Sequence, residues 1–253
     1  MSDDLKLVKQ LEKEIGRNLV KRDIERIIES NQQGYALDEH KNVVGLNLSG
    51  FKLLGLPKSL SFFRHLEKLR LSGNNLNDFS GLEDLSSLSY LHLANNHINT
   101  LSGLESFVNL SILRLNSNQL RSLSGIEGLK KLTKLDLRNN KIKLLPETIV
   151  DLGMRIDVEI EYPWGIDKGI FLHGNPLESP PIEIIKKGNE AIRQYFKFLA
   201  WEQQTLNEVK VLLVGDGAAG KTSLAKALLG EPFDINESKT HGININTMEN
   251  YPK

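Results

Sequence analysis

The run Leu66-Glu67-Lys68-Leu69-Arg70-Leu71-Ser72-Gly73-Asn74-Asn75-Leu76 decides how this chain folds. Its skeleton is L-x-x-L-x-L-x-x-N-x-L, and it returns three times. The copies are Leu88, Leu91, Leu93, Asn96 and Ile98; Leu110, Leu113, Leu115, Asn118 and Leu120; and Leu132, Leu135, Leu137, Asn140 and Ile142. The asparagines stand 22 residues apart, and self-similarity at a fixed period is the signature of stacked repeats. Each L-x-L alternation predicts a short strand with its leucines pointing inward. The asparagine that follows turns the chain, and its amide satisfies buried backbone groups of neighbouring repeats. Between strands the apolar residues recur every third position, as in Leu101, Leu104, Phe107 and Leu110, then Leu120, Leu123, Ile126, Leu129 and Leu132. That period predicts 3₁₀ turns on the convex side. A single repeat cannot bury its leucines alone, so neighbours must stack.

A weaker copy precedes these, with Val43, Leu46, Leu48 and Leu53, and with Phe51 where the asparagine would stand. A last copy follows, with Ile170, Leu172, Asn175 and Leu177. Its asparagine lies 35 residues beyond Asn140 rather than 22, so about thirteen residues are inserted. The insert is placed at residues 154–165 and contains Trp164. The whole pattern resembles a leucine-rich repeat, and the resemblance covers residues 41–178. Ahead of it, Leu5, Val8, Leu11 and Ile15 share one helical face, and Ile24, Ile27 and Ile28 share another. Two short helices make residues 1–40 a helical cap on the open end of the array. Behind it, Pro176, Pro180 and Pro181 end the strand pattern. A helix at 182–187 breaks at Gly188, and a second runs over 190–204 behind Asn189, a natural N-cap. Residues 179–207 therefore read as the C-terminal helical cap and linker.

The residues flanking the inward leucines fall on the concave face: Lys68, Arg70, Tyr90, His92, Arg114, Asn116, Lys134, Asp136 and Arg138. These positions are expected to face solvent. Their basic character, with an aromatic near the middle, suits an acidic partner or another domain of the same protein. An ordinary solvated sheet face is the competing reading. Nucleic acid is not expected there, because the cations are few and little aromatic interleaving accompanies them. His92 and His97 lie on different faces without a third ligand at metal-binding spacing.

Composition bounds the rest. Basic and acidic residues balance, 32 against 32, which gives no global field towards nucleic acid or an anionic membrane. The chain has no cysteine, so disulfide frameworks and thiolate metal sites are excluded, and a reducing compartment fits. No apolar run reaches the length of a membrane span. The expectation is a cytoplasmic protein.

A second motif begins past the repeats. An apolar run at 209–214 leads into Gly215-Asp216-Gly217-Ala218-Ala219-Gly220-Lys221-Thr222, and an apolar-periodic run follows from Ser223 to position 229. Strand, glycine-rich loop and helix with the spacing G-x-x-x-x-G-K-T describe a phosphate-binding loop. Glycines let successive N–H groups converge on phosphate oxygens, and the helix start adds its partial positive charge. Lys221 is the fixed cation for the β- and γ-phosphates, and the Thr222 hydroxyl is a ligand for Mg²⁺. Thr240 lies eighteen residues after Thr222. That spacing resembles the switch threonine of Ras-type GTPases, a second hydroxyl on Mg²⁺. The loop by itself leaves two other readings open: a P-loop ATPase, and an interaction scaffold with a vestigial loop.

Repeats, a Pro-Pro helical segment and a Ras-like phosphate loop, in that order, resemble the Roco family of Ras-of-complex GTPases. The resemblance implies an α/β chain, in which a 22-residue-period solenoid with helical caps is followed by the start of a P-loop GTPase fold at 208–253. It implies GTP and GDP with Mg²⁺ as ligands, slow hydrolysis coupled to conformation or assembly, and a homodimer formed through a domain further along. The Asp-x-x-Gly and Asn-Lys-x-Asp segments of a complete GTPase do not occur after Lys221. The chain is therefore expected to be a fragment, with the group that positions the attacking water lying beyond Lys253.

Overall fold

The computed structural model describes residues 3–205 except Asn31 and Trp164, together with Leu224 and Lys226. The chain divides into two compact units, Met1–Trp201 and Glu202–Lys253. The first is a solenoid built on one eight-stranded sheet in the order β1-β2-β3-β4-β5-β6-β8-β7. The strands are β1 (Gly34–Leu37), β2 (Val43–Asn47), β3 (Lys68–Arg70), β4 (Tyr90–His92), β5 (Ile112–Arg114), β6 (Lys134–Asp136), β7 (Ile156–Asp157) and β8 (Gly169–Phe171). All neighbours pair in parallel except β1 with β2.

The register puts like residues in columns. Leu46, Leu69, Leu91, Leu113, Leu135 and Ile170 pair in sequence across six strands. All six are fully buried in a single continuous core. Complete burial of such a side chain is worth about 1.5–3 kcal/mol each, so the stack of leucines is the main source of cohesion. Three-residue turns at Leu104–Ser106 and Ile126–Gly128, with longer ones at Lys58–Phe62 and Glu147–Leu152, return the chain along the convex side as 3₁₀ helices. Gly103 and Gly125 open two of these turns with φ near 95°, where a side chain would be strained. Their N–H groups donate to the carboxylates of Glu105 and Glu127.

The asparagine ladder is complete. Asn118 donates to the carbonyls of Leu93 and Leu115 at 2.9 and 3.0 Å and accepts from the N–H of Ile98 at 2.9 Å. Asn74, Asn96, Asn140 and Asn175 repeat the same three contacts one repeat apart. The insert does not interrupt it: Asn175 follows Asn140 in space although 35 residues separate them in sequence.

Both ends differ from the sequence expectation in an informative way. The helices α1 (Asp3–Ile15) and α2 (Ile24–Glu29) form where the periodicity places them. Val8 and Leu11 of α1 join the core, and Asp4 accepts a hydrogen bond from the Val43 N–H. The cap is not purely helical, because β1 adds an antiparallel strand that extends the sheet. At the other end, the insert contains a strand of its own. β7 lies outside β8 at the sheet edge, so the chain runs past the last repeat position and returns to fill it. The helices α3 (Ile182–Lys186) and α4 (Asn189–Thr205) follow. Ile185 and Ile192 are buried in the core, and Asn189 donates to the Met154 carbonyl.

Candidate functional site

The concave face is where the outward residues of the strands converge, and the structure corrects their expected exposure. Arg70, Tyr90, His92, Lys134 and Asp136 are buried; Lys68, Arg114, Asn116 and Arg138 are half-buried. Two segments outside the repeat pattern account for burial at the two ends. At one end α2 packs across β1, β2 and β3. A Cβ on Gly45 would lie 2.6 Å from Ile24 Cδ1, so glycine at that outward position lets the helix approach the backbone. The Arg70 guanidinium donates to the Ile28 carbonyl at the end of the same helix, and Asn47 donates to the Ser30 carbonyl.

At the other end the segment between β7 and β8 lies against β6. The Lys134 ammonium donates to the Ile166 carbonyl at 2.5 Å and to the Pro163 carbonyl at 3.4 Å. It sits 5.8 Å from the centre of the Phe171 ring. Arg138 makes a two-pronged contact with Asp136, at 2.7 and 2.6 Å, and donates to the Glu161 carbonyl. Lys134 and Arg138, expected as partner-binding cations, are thus engaged in holding the insert. Burial, with the Arg114 guanidinium adding to it, pushes the Lys134 pKa down from its ordinary value. The sequence carried a signal for each cover: a glycine among outward positions, and an asparagine spacing of 35.

Between the covers lie β4 and β5. The Tyr90 and His92 rings meet edge to face, 6.3 Å apart, and the Arg114 guanidinium stands 5.9 Å from the centre of the Tyr90 ring. Tyr90 is 2% exposed and His92 9%. Tyr90 Oη, His92 Nδ1 and Arg114 Nε are buried and have no hydrogen-bond partner among the described residues. Burial, reinforced by the Arg70 and Arg114 guanidiniums, holds the His92 pKa down at about 3. The imidazole is neutral at physiological pH. Burial also raises the Tyr90 pKa, against the pull of the two arginines, so its hydroxyl stays a proton donor.

The phosphate-loop residues Gly215, Asp216, Gly217, Ala218, Ala219, Gly220, Lys221, Thr222 and Ser223, and the switch candidate Thr240, lie outside the described residues. Leu224 and Lys226 are both helical, within the helix expected after the loop, and Leu224 is exposed. No described helix is long and apolar enough to cross a membrane. Among the described residues no cluster of His, Asp or Glu is arranged to hold a metal ion.

Comparison with known proteins supplies the context. The family model described as leucine-rich repeats matches in two copies, at residues 64–106 and 108–149. The model described as "Ras of Complex, Roc, domain of DAPkinase" matches residues 210–252. A Roc-COR-CHAT protease from an unknown prokaryotic organism is 34% identical over 92 residues, 33% of this chain and 9% of that protein. The chain thus spans a small part of the length of this relative. Among solved structures, a plant ice-binding protein matches with a TM-score of 0.51 at 17% identity, over 69% of this chain and 56% of its own. A leucine-rich repeat protein of Leptospira interrogans matches at 29% identity with a TM-score of 0.44, over 58% of this chain and 33% of its own. The ice-binding protein supports the solenoid fold and nothing more.

Proposed function

The chain has the Roco-type arrangement of leucine-rich repeats leading into a Roc segment, and on that premise we propose that the protein couples an interaction scaffold to a nucleotide switch. The switch binds GTP with Mg²⁺, hydrolyses it slowly and changes conformation or assembly with the nucleotide state. The observation that carries this reading is the position of the phosphate-loop motif within the segment that the Roc model matches. The G-x-x-x-x-G-K-T loop at 215–222 falls inside the segment matched by the Roc model at 210–252.

In this reading the loop backbone cradles the phosphates and Lys221 neutralises β- and γ-phosphate charge. Thr222 and Thr240 hold Mg²⁺. A donor set of two hydroxyls beside phosphate oxygens suits a hard cation that prefers oxygen ligands. The metal supplies charge neutralisation at the phosphates, while the chain's own groups bind and orient the nucleotide. The whole protein works in the cytoplasm as a homodimer assembled through a domain further along, a reading that rests on the Roco-type arrangement.

The test is a titration of the full-length protein with GDP and GTP, with and without Mg²⁺. Lys221→Ala lowers affinity for both nucleotides at least about tenfold, since a charge-assisted contact is worth about 1.5–3 kcal/mol. Thr222→Ala costs affinity chiefly when Mg²⁺ is present. Thr240→Ala spares GDP and weakens GTP, because a switch threonine grips the metal when a γ-phosphate is there. Parent-like binding by Lys221→Ala overturns the loop assignment. Equal loss of GDP and GTP in Thr240→Ala overturns only the switch.

A further inference from the structure

A single apolar side chain in water is ordinary; one that protrudes within a ring of cations is a different object. Leu54 is the most exposed large apolar side chain among the described residues, at 80%. It stands in the loop Lys52-Leu53-Leu54-Gly55-Leu56-Pro57-Lys58. Leu53 and Leu56 pack against the core, which turns Leu54 outwards between them. A Cβ on Gly55 would meet nothing within 4 Å, so the tip stands clear of the protein. Lys52 and Lys58 are exposed at the two ends of the loop. Two contacts fasten the loop to the C-terminal end of α1. The Arg17 guanidinium lies 5.4 Å from the centre of the Phe51 ring, and Glu14 accepts from the Ser59 N–H at 3.2 Å.

The same end of α1 carries an open hollow lined by Lys9, Lys13 and Arg17, with Glu12, Gly16 and Asn18. The Glu12 carboxylate is already engaged, by the Leu19 N–H at 2.7 Å and the Lys9 ammonium at 2.8 Å. Lys13, Arg17, Lys52 and Lys58 form no ion pair among the described residues. Across residues 9–18 and 51–59 five cations stand against two carboxylates, those of Glu12 and Glu14. The chain as a whole is neutral, so this positive field is local to one corner of the N-terminal cap.

We infer that this corner docks on an anionic lipid bilayer. Leu54 enters the boundary between headgroups and acyl chains, and Lys13, Arg17, Lys52 and Lys58 hold anionic headgroups around it. The shape of the site favours lipid over a folded partner. A convex tip of one leucine offers a protein far less area than a stable interface needs, whereas a bilayer closes around a tip of any shape. Nucleic acid would satisfy the cations and leave Leu54 in water. The two attractions act together, since apolar burial and anionic headgroups each add to interfacial binding. Neither involves a nucleotide, so the inference stands apart from the switch.

The probe is a phosphatidylcholine vesicle with or without phosphatidylserine, mixed with the chain as it stands and sedimented. Binding is expected to the serine-containing vesicles alone. It should fade as salt rises from about 0.1 M to about 1 M, which shortens the screening length from about 10 Å to about 3 Å. Leu54→Ser should weaken it about tenfold, and Lys52→Gln and Lys58→Gln about fivefold each. All three side chains are exposed, so the fold should be kept, and circular dichroism checks that. The chain has no cysteine, so Gly55→Cys takes a single polarity-sensitive dye. Its emission should shift to the blue on serine-containing vesicles, while the same dye at Gly128→Cys, on another repeat, stays unchanged. Absent vesicle binding, parent-like binding by Leu54→Ser, or a Gly55 dye that remains in water each overturns the proposal. So does loss of binding on replacing the exposed Phe198 and Trp201 of α4 by serine with Leu54 intact. Soluble polyglutamate bound in place of vesicles would point to an acidic protein and overturns it as well.

Discussion

Asn118 and His92 sit on adjacent repeats and are almost equally buried, 8% and 9% exposed. Every polar atom of the Asn118 amide is used: its nitrogen donates to Leu93 and Leu115, and its oxygen accepts from Ile98. His92 Nδ1 has no hydrogen-bond partner among the described residues, and its neighbours include two guanidiniums. The ladder has hydrogen bonds that offset the cost of burying polar groups. The concave centre leaves the cost standing. A fold keeps an uncompensated group of this kind where something other than stability selects it. The difference separates buried polar groups whose hydrogen bonds hold the solenoid together from buried polar groups that lower its stability.

The largest effect that sharpens this contrast is at the ladder. Asn118→Ala should lower stability by about 1–3 kcal/mol, because two carbonyls and one N–H lose their partner inside the stack. Chemical denaturation of residues 1–205 measures it, and a parent-like midpoint would erase the distinction.

Next is the pH dependence of the concave centre. The folded-state pKa of His92 is about 3, below the ordinary value near 6.5. Below pH 6.5 the unfolded chain binds a proton that the folded chain refuses. The His92 contribution is therefore fully present above that value and is lost as the pH falls towards 3, with a slope approaching about 1.4 kcal/mol per pH unit. His92→Gln should flatten the melting temperature against pH over this range. An unchanged profile would mean His92 is protonated in the fold and has a partner.

Tyr90→Phe removes a buried hydroxyl that has no partner among the described residues. Stability should stay level or rise by up to about 1 kcal/mol, the reverse of the usual sign for a deleted polar group. A clear loss would show that the hydroxyl is satisfied in solution. The smallest effect is at Asn116, half-buried on the outward side. Asn116→Ala should stay within about 0.5 kcal/mol of the parent, and a shift as large as that of Asn118→Ala would break the inward and outward assignment.

The repeat signal reaches far because it is local. Leu113 and Leu115 read as inward, and they are; Asn118 reads as a ladder residue, and it is. The 3₁₀ turns at Leu104–Ser106 and Ile126–Gly128 stand where period-three leucines put them. The reading weakens where contacts are long-range. Lys134 and Arg138 follow the same pattern as Arg114, yet they hold the backbone of a segment some twenty to thirty residues further along the chain. The G-x-x-x-x-G-K-T motif is legible in the sequence because its spacing lies within eight consecutive residues, 215–222.

The amino-acid sequence by itself determined the period, the inward leucines, the asparagine ladder, the capping helices and the order in which repeats lead to the segment matched by the Roc model. Each of these follows from spacing within one or two repeats, where strand alternation and turn geometry leave little choice. Tertiary structure decided the strand order β6-β8-β7, the antiparallel edge strand β1, and which outward side chains are buried. Those depend on how α2 and the segment after β7 dock onto the sheet. Docking is governed by shape and by hydrogen bonds between residues far apart in the chain, such as Arg70 with Ile28 and Lys134 with Ile166, and no periodicity encodes such pairs.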